Sequence, residues 1–291
     1  MNNDTPWIRE SHSMKFVRYG PVGQEKPGLL APDGTLRTLV GQVHDIDAGS
    51  IASGRLAPLA ARWQDLDTVE AGGRLGAPLA GVGKFIGIGL NYADHAAEAG
   101  LPVPQRPIVF FKSPTCINGP DDDVLLPAGS EALDWEVELG VVIGREASRV
   151  SVAQARSHVF GYLVVNDVSE RDWQMHHGGS QWSKGKSHDT FGPLGPWLVS
   201  ADAVADPSSL DMRLSVNGQV MQRGNTRTMI FNVDQIVSDL SQYMRLLPGD
   251  VIATGTPPGV GMGMKPPRYL RRGDVMELSI EGLGCQRQRV V

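Results

Sequence analysis

Asp134-Trp135-Glu136-Val137-Glu138-Leu139-Gly140-Val141-Val142-Ile143 is the stretch on which the reading of this chain turns. Val137, Leu139, Val141 and Ile143 share one parity and β-branched residues dominate, so the run predicts a strand. Successive side chains of a strand point to opposite faces, which puts Glu136 and Glu138 on one face with roots about 6–7 Å apart. Asp134 has the same parity. Acidic side chains bunched on a half-buried strand repel one another unless a cation sits between them. A hard divalent ion with oxygen ligands is the simplest such cation. The competing reading is ordinary solvated charge on the outer face of a strand, and this fragment alone leaves both open.

Downstream, Ser151 predicts a cap for a short helix to about residue 157. Phe160-Gly161-Tyr162-Leu163-Val164-Val165-Asn166-Asp167 predicts a further strand that ends in an acid. Strand, short helix, strand returns the chain beside its start, which would bring Asp167 level with Glu136 and Glu138. Three carboxylates with open positions for water or substrate suit Mg²⁺ or Mn²⁺. Arg171 and Gln174, three apart, share one face of a helical turn, aimed at the acids or else simply solvated. Residues 180–187 nearly spell a phosphate-binding P-loop. Ser180 stands where the first glycine belongs and no strand precedes it, so nucleotide binding is rejected. Lys186 remains as a cation near the acids. His176 and His177 lack a third spaced ligand and read as loop.

Upstream, Lys84-Phe85-Ile86-Gly87-Ile88-Gly89 predicts an apolar strand. Its Gly-x-Gly suits a tight turn or a close backbone approach to a ligand. Residues 93–99 predict a short helix with Asp94 as N-cap and Gly100 as stop. His95 and Glu98 fall on one face of it, either as a surface pair or as a base whose tautomer a carboxylate fixes. Residues 107–111 predict a strand. Residues 14–80 form a small N-terminal module, with strands near residues 16–19, 28–30 and after the turn at 32–35, a helix near 46–53 and a connector over 57–78. Asn217-Gly218 predicts a two-residue hairpin turn. Residues 232–247 show helical apolar spacing, opened by a capping box of Asn232 and Gln235 and stopped by Pro248-Gly249. Val251-Ile252-Ala253 opens into Thr254-Gly255-Thr256-Pro257-Pro258-Gly259-Val260-Gly261, a loop rich in amides and hydroxyls that suits an anion or a structural turn. Residues 275–280 alternate and close the sheet.

The 291 residues suit one large domain or one large and one small. A net charge of −5 without a basic run argues against nucleic-acid binding. Two cysteines make neither a disulfide framework nor a zinc set. No apolar run has the length of a membrane span and no N-terminal segment has the pattern of a signal peptide, so a cytoplasmic protein is expected. Residues 1–13 are polar and patternless and are expected to be a tail.

Five motifs taken together resemble the fumarylacetoacetate hydrolase family: Gly89-Leu90-Asn91-Tyr92-Ala93-Asp94-His95, Asp134-Trp135-Glu136-Val137-Glu138-Leu139-Gly140, Asn166-Asp167-Val168-Ser169-Glu170-Arg171-Asp172, Lys184-Gly185-Lys186-Ser187 and the 253–261 loop. The resemblance implies an α+β, mostly β chain: a mixed β-sandwich roll over residues 81–291 behind a small α/β N-terminal domain, in a homodimer. It implies Mg²⁺ or Mn²⁺ held by Glu136, Glu138 and Asp167, with Asp94 outside the ligand set. It further implies a water-activating dyad of His95 and Glu98 on a lid, Lys186 for enolate charge, and Arg171, Gln174 and Thr256 for a small-molecule 2-oxo acid. Residues 261–270 resemble the branch that contains 2,4-diketo-3-deoxy-sugar-acid (rhamnonate, fuconate) hydrolases and ureidoglycolate lyase. The expected activity is hydrolytic C–C cleavage of a 2,4-diketo acid that releases pyruvate. The rivals on the same site are oxaloacetate decarboxylation or tautomerisation, hydroxydienedioate isomerisation and ureidoglycolate cleavage. A non-catalytic metal-binding protein has no need of the dyad.

Overall fold

A computed structural model of the chain describes residues 14–70, 73–100, 102–179 and 181–291. The expected tail, 1–13, and Ser180 lie outside these residues. β1 (Lys15–Tyr19), β2 (Lys26–Leu30) and β3 (Leu36–Thr38) form an antiparallel meander. α1 (Ala48–Ala52) begins at a capping box built by Asp47 and Ser50. The described residues of the expected connector form elements instead: α2 (Leu56–Ala61), a 3₁₀ turn, β4 (Thr68–Val69) and β5 (Leu75–Gly76). Leu56, Leu59 and Ala60 are buried, so a segment rich in small residues folds because it has a core to cover.

β6 (Phe85–Gly89), α3 (Ala93–Ala99), β7 (Ile108–Lys112) and β8 (Ile117–Asn118) follow. Next come β9 (Leu133–Asp134), β10 (Val137–Ile143), α4 (Val152–Ala155), β11 (Val159–Asn166) and β12 (Ser169–Glu170). α5 (Ser183–Lys186) leads into β13 (Gly192–Ser200), and β14 (Asp211–Val216) and β15 (Gln219–Asn225) make the hairpin expected at Asn217-Gly218. α6 (Val233–Leu240), β16 (Val251–Ala253), β17 (Val275–Ile280) and β18 (Gly284–Arg289) complete the described elements. Among the described residues no helix is long and apolar enough to cross a membrane.

The main sheet has twelve strands, in the order β4-β3-β2-β1-β13-β11-β10-β16-β6-β7, with β5 on β1 and β8 on β13. It is mixed, since β16 runs parallel to β6 while its other neighbour β10 runs antiparallel. β1 pairs with β13, so the N-terminal strands extend this sheet. A second sheet, β15-β14-β17-β18, holds the strand expected to close the first one. Buried glutamines stitch the two: Gln222 Oε1 accepts from Val137 N at 3.0 Å, Gln288 Oε1 accepts from Asn166 Nδ2 at 3.0 Å, and Gln286 Nε2 donates to Val164 O at 2.7 Å. Each amide thereby satisfies a polar group that has no water to turn to. The architecture is the mostly β, mixed-sheet α+β class expected.

β10 lies at the centre and is buried at every position. Glu138 on it and Glu136 just before it are 2% and 6% exposed, which overturns their reading as solvated surface charge. Gly87 and Gly89 form neither a turn nor a ligand approach. A Cβ on Gly87 would stand 2.1 Å from the Phe110 ring, and one on Gly89 would stand 2.3 Å from Trp182. These glycines leave room for aromatic rings against β6. Gly87→Ala is accordingly expected to cost about 1–3 kcal/mol by overpacking, a fall in Tm on the order of 5 °C in a thermal melt.

The 232–247 helix stops early, at Leu240. Its capping box forms as expected, but Ser241 then turns its hydroxyl back to Ser238 O at 2.7 Å and takes Arg149 N on its carbonyl at 2.7 Å. Beyond it Leu246 is buried by pairing with Ala147, whereas Tyr243 is 57% exposed. The apolar spacing therefore outruns the helix: Tyr243 and Leu247, which continue it, are exposed. Asp94 is not the cap of α3: Tyr92 is, Asp94 sits in the first turn, and Gly100 ends the helix at φ 66°.

Candidate functional site

The site grows from the register of two strands. Val137 pairs with Asn166 across β10 and β11, and Asp167 N donates to Glu136 O at 2.9 Å just beyond them. One acid therefore enters β10 as another leaves β11. Ligand oxygens of Glu136, Glu138 and Asp167 lie within 4.8 Å of one another, and all three residues are buried.

Asp134 shares their parity yet departs from the cluster. Its Oδ1 accepts from Gly261 N at 2.7 Å and Trp135 N at 2.8 Å, and its Oδ2 accepts from Met262 N at 3.0 Å and Arg171 Nε at 2.8 Å. The alternation breaks between β9 and β10, where Trp135 and Glu136 belong to neither strand.

Lys186, from α5, bridges the acids, with Nζ 2.7 Å from Glu136 Oε2 and 2.7 Å from Asp167 Oδ2. Sequence reasoning missed a second lysine. Lys112 Nζ lies 2.6 Å from Asp167 Oδ1, and it also donates to the carbonyls of Val168 and Lys186. It thus ties Asp167 to the chain that carries Lys186. The available signal was weak: Lys112 ends an apolar strand on the inward parity of Phe110, and its own side chain is 1% exposed.

Arg171 and Gln174 come together as expected. Arg171 Nη1 donates to Gln174 Oε1 at 2.8 Å, and Nη2 stands 2.7 Å from Glu136 Oε1. That contact ties the guanidinium to the acidic cluster. Gln174, His176 and His177 lie in a five-residue π-helical turn, Trp173–His177, where a helical turn was expected for Gln174 and a loop for the two histidines. Thr256 is buried, but its hydroxyl is engaged by the scaffold: it donates to Val137 O at 2.9 Å and accepts from Gln222 Nε2 at 2.8 Å.

Burial alone would push the Glu136 carboxyl up, but the charges of Lys186 and Arg171 outweigh it and hold it down to about 2. Glu138 goes the other way. Burial, then Asp167 and Glu136, push its carboxyl well above the usual range. Its one hydrogen bond is from Gly255 N to Oε2 at 2.8 Å. Burial disfavours the Lys186 ammonium, yet Asp167 and Glu136 outweigh it and raise its pKa.

The dyad residues also meet. His95 Nδ1 lies 3.0 Å from Glu98 Oε2, with their side chains 12% and 25% exposed. Glu98 also accepts from Gly259 N, at 3.1 and 3.2 Å to its two oxygens. Gly259 O in turn accepts from Trp135 Nε1 at 3.1 Å. Loop 259–262 therefore touches the dyad on one side and the head of the acidic strand on the other. Asp94, which accepts from Thr228 Oγ1 at 3.2 Å, is not in the acidic cluster.

The donor set fits a hard dication. Lys112, Lys186 and Arg171 face Asp134, Glu136, Glu138 and Asp167. With all four acids ionised one negative charge would stay unbalanced, and Glu138 is the acid with no cation in contact. Three converging carboxylates with no imidazole or thiolate select oxygen-loving ions such as Mg²⁺ and Mn²⁺.

Comparison with known proteins agrees. A family model described as fumarylacetoacetate (FAA) hydrolase C-terminal matches residues 84–291. A 2,4-didehydro-3-deoxy-L-rhamnonate hydrolase of Sphingomonas sp. (strain SKA58) is 55% identical over 278 residues, 95% of this chain and 96% of its own. A fumarylacetoacetate hydrolase from psychrophilic Exiguobacterium antarcticum superposes with a TM-score of 0.83 at 37% identity, covering 95% of this chain and 99% of that one. The maleylpyruvate hydrolase of Sphingobium sp. SYK-6, solved in complex with manganese (II) and pyruvate, superposes with a TM-score of 0.80 at 29% identity, covering 96% and 99%.

Proposed function

The chain belongs to the fumarylacetoacetate hydrolase family, and from that premise we propose that it hydrolyses a carbon–carbon bond of a 2,4-diketo acid and releases pyruvate, the substrate being a 2,4-diketo-3-deoxy sugar acid of the rhamnonate or fuconate type. The observation that carries the reading is the buried cluster of Glu136, Glu138 and Asp167 with the Lys186 ammonium lodged between two of them. A charge arrangement this costly to bury points to chemistry rather than stability.

Mg²⁺ or Mn²⁺, held by Glu136, Glu138 and Asp167, would supply positive charge to the 2-oxo acid end of the substrate and to the leaving group. His95, oriented by Glu98, takes a proton from water, and the water oxygen adds to C4. The C3–C4 bond breaks and its electron pair leaves as the enolate of pyruvate, which then takes up a proton. Lys186 stabilises the enolate charge from a fixed position, which costs no reorganisation as that charge develops. Arg171 and Gln174, joined by a 2.8 Å hydrogen bond, orient the C4 oxygen. Thr256 contributes through the wall of the site, its hydroxyl proton being already given to Val137 O.

The test is pyruvate release across a panel of 2,4-diketo-3-deoxy sugar acids, simple acylpyruvates and oxaloacetate, with Mg²⁺ or Mn²⁺ and again with EDTA. The sugar acids are expected to have the highest kcat/KM, and EDTA to remove it. Faster decarboxylation of oxaloacetate, or isomerisation without C–C cleavage, would replace this reading with a rival that uses the same cluster.

A further inference from the structure

On the reading of His95 and Glu98 as the water-activating dyad, we propose that Asp134 is a positioning residue for it: Asp134 fixes loop 259–262 as the seat on which Glu98 docks, and so sets the dyad against the acidic strand. α3 is seven residues long with no side-chain cap, so its place depends on tertiary contacts: Thr228 holds its first turn through Asp94, and Glu98 holds its far end. Glu98 takes its hold from Gly259 N, in a residue that only glycine can occupy. Its φ is +102°, and a Cβ there would stand 2.0 Å from Met221 O. Two residues on, Gly261 N and Met262 N both donate to Asp134.

Asp134 is fully buried, and its four hydrogen bonds join three parts of the molecule: that loop, the Trp135 amide and Arg171. Arg171 in turn pairs with Glu136. One unbroken series of contacts therefore runs from His95 through Glu98, the loop, Asp134 and Arg171 to the acidic cluster. A carboxylate suits this place because it accepts on both oxygens, and charge-assisted bonds of this kind are strong. The isosteric amide would turn an NH₂ toward donors on one side.

The experiment uses the full chain loaded with Mn²⁺ and compares Asp134→Asn, His95→Ala, the double variant and Gly263→Ala. A Cβ at Gly263 would crowd the Glu98 carboxylate at 3.1 Å and leave Asp134 and its bonds in place. For Asp134→Asn, hydrogen–deuterium exchange of the Gly261 and Met262 amides is expected to accelerate tenfold or more. Its kcat for hydrolysis is expected to fall about 10–100-fold, as for loss of an outer-shell support, while Mn²⁺ affinity and deuterium exchange at C3 of pyruvate change less than about threefold. The double variant is expected to lose no more hydrolysis than His95→Ala alone, because both changes break one unit. Gly263→Ala is expected to show the same split between hydrolysis and C3 exchange, and it decides the matter should Asp134→Asn not accumulate as folded protein.

Unchanged amide exchange in Asp134→Asn, parallel loss of hydrolysis and C3 exchange, or an additive double variant would each overturn the proposal. If the wild type hydrolyses no member of the substrate panel, the functional reading fails on its own, and amide exchange then decides the seat alone.

Discussion

Glu136→Gln is expected to lower kcat/KM by about 10³-fold or more and to leave the fold standing. The amide keeps the shape of the side chain and removes its charge. Lys186 retains Asp167 and Arg171 retains Asp134, so neither buried cation is left alone. The stability cost should stay near about 1–3 kcal/mol for weakened buried hydrogen bonds. The loss falls on the acidic cluster, which gives up one of three anionic oxygen donors. Steady-state kinetics, a Mn²⁺ titration and circular dichroism separate these effects. Full wild-type turnover by this variant after chelation would falsify the mechanism.

The same cluster sets a pH dependence of metal protection. The folded state raises the Glu138 carboxyl, so its contribution to stability is present below the ordinary glutamate range and lost as pH rises through the raised value. Glu136 has the opposite sign. Held down to about 2, it contributes above the ordinary range and loses that contribution only as pH falls toward 2. A dication bound beside Glu138 removes the penalty on its charged form and must displace its proton at low pH. Mn²⁺ is therefore expected to raise Tm more at pH 8 than at pH 5. Equal increments would disconnect Glu138 from the ion.

His95→Ala is expected to lower kcat for hydrolysis by about 10²–10⁴-fold, the usual contribution of a positioned general base, with KM and Mn²⁺ affinity within about twofold. His95 touches Glu98 and lies outside the ion-pair network of Lys112, Lys186, Arg171 and the acids, so its removal leaves that network whole. Proton exchange at C3 of pyruvate draws on the acids and Lys186, and it is expected to fall far less. Hydrolysis at the wild-type rate would remove the dyad from the reaction.

Where a property depends on a few adjacent residues, its trace in the chain is strong. The parity of Glu136 and Glu138, the capping box at Asn232 and Gln235 and the hairpin at Asn217-Gly218 all follow from backbone geometry that repeats within one turn or one pleat. The convergence with Asp167 was legible for the same reason, since β10, α4 and β11 follow one another closely. Lys186 and the pair at 171 and 174 were visible as groups near the acids, but their roles came from resemblance to a family, which carries information that periodicity lacks.

By itself, then, the sequence determined the mostly β class, the strand that carries Glu138 with Glu136 just before it, and which residue types could hold an ion and a proton. The tertiary structure decided which acids come together. Asp134 has the parity of the cluster, yet it is drawn off by amides 127 and 128 positions away. Lys112 enters through Asp167, 55 positions on. Gln286 and Gln288 face inward where an apolar pattern would be expected, because carbonyls, amides and each other's side chains meet them across the sheets. The physical reason is one of range. The spacing of side chains along a helix or strand is set by bonds and torsions a few residues long, whereas the partner that satisfies a buried charge or amide is chosen by whichever distant segment packs against it.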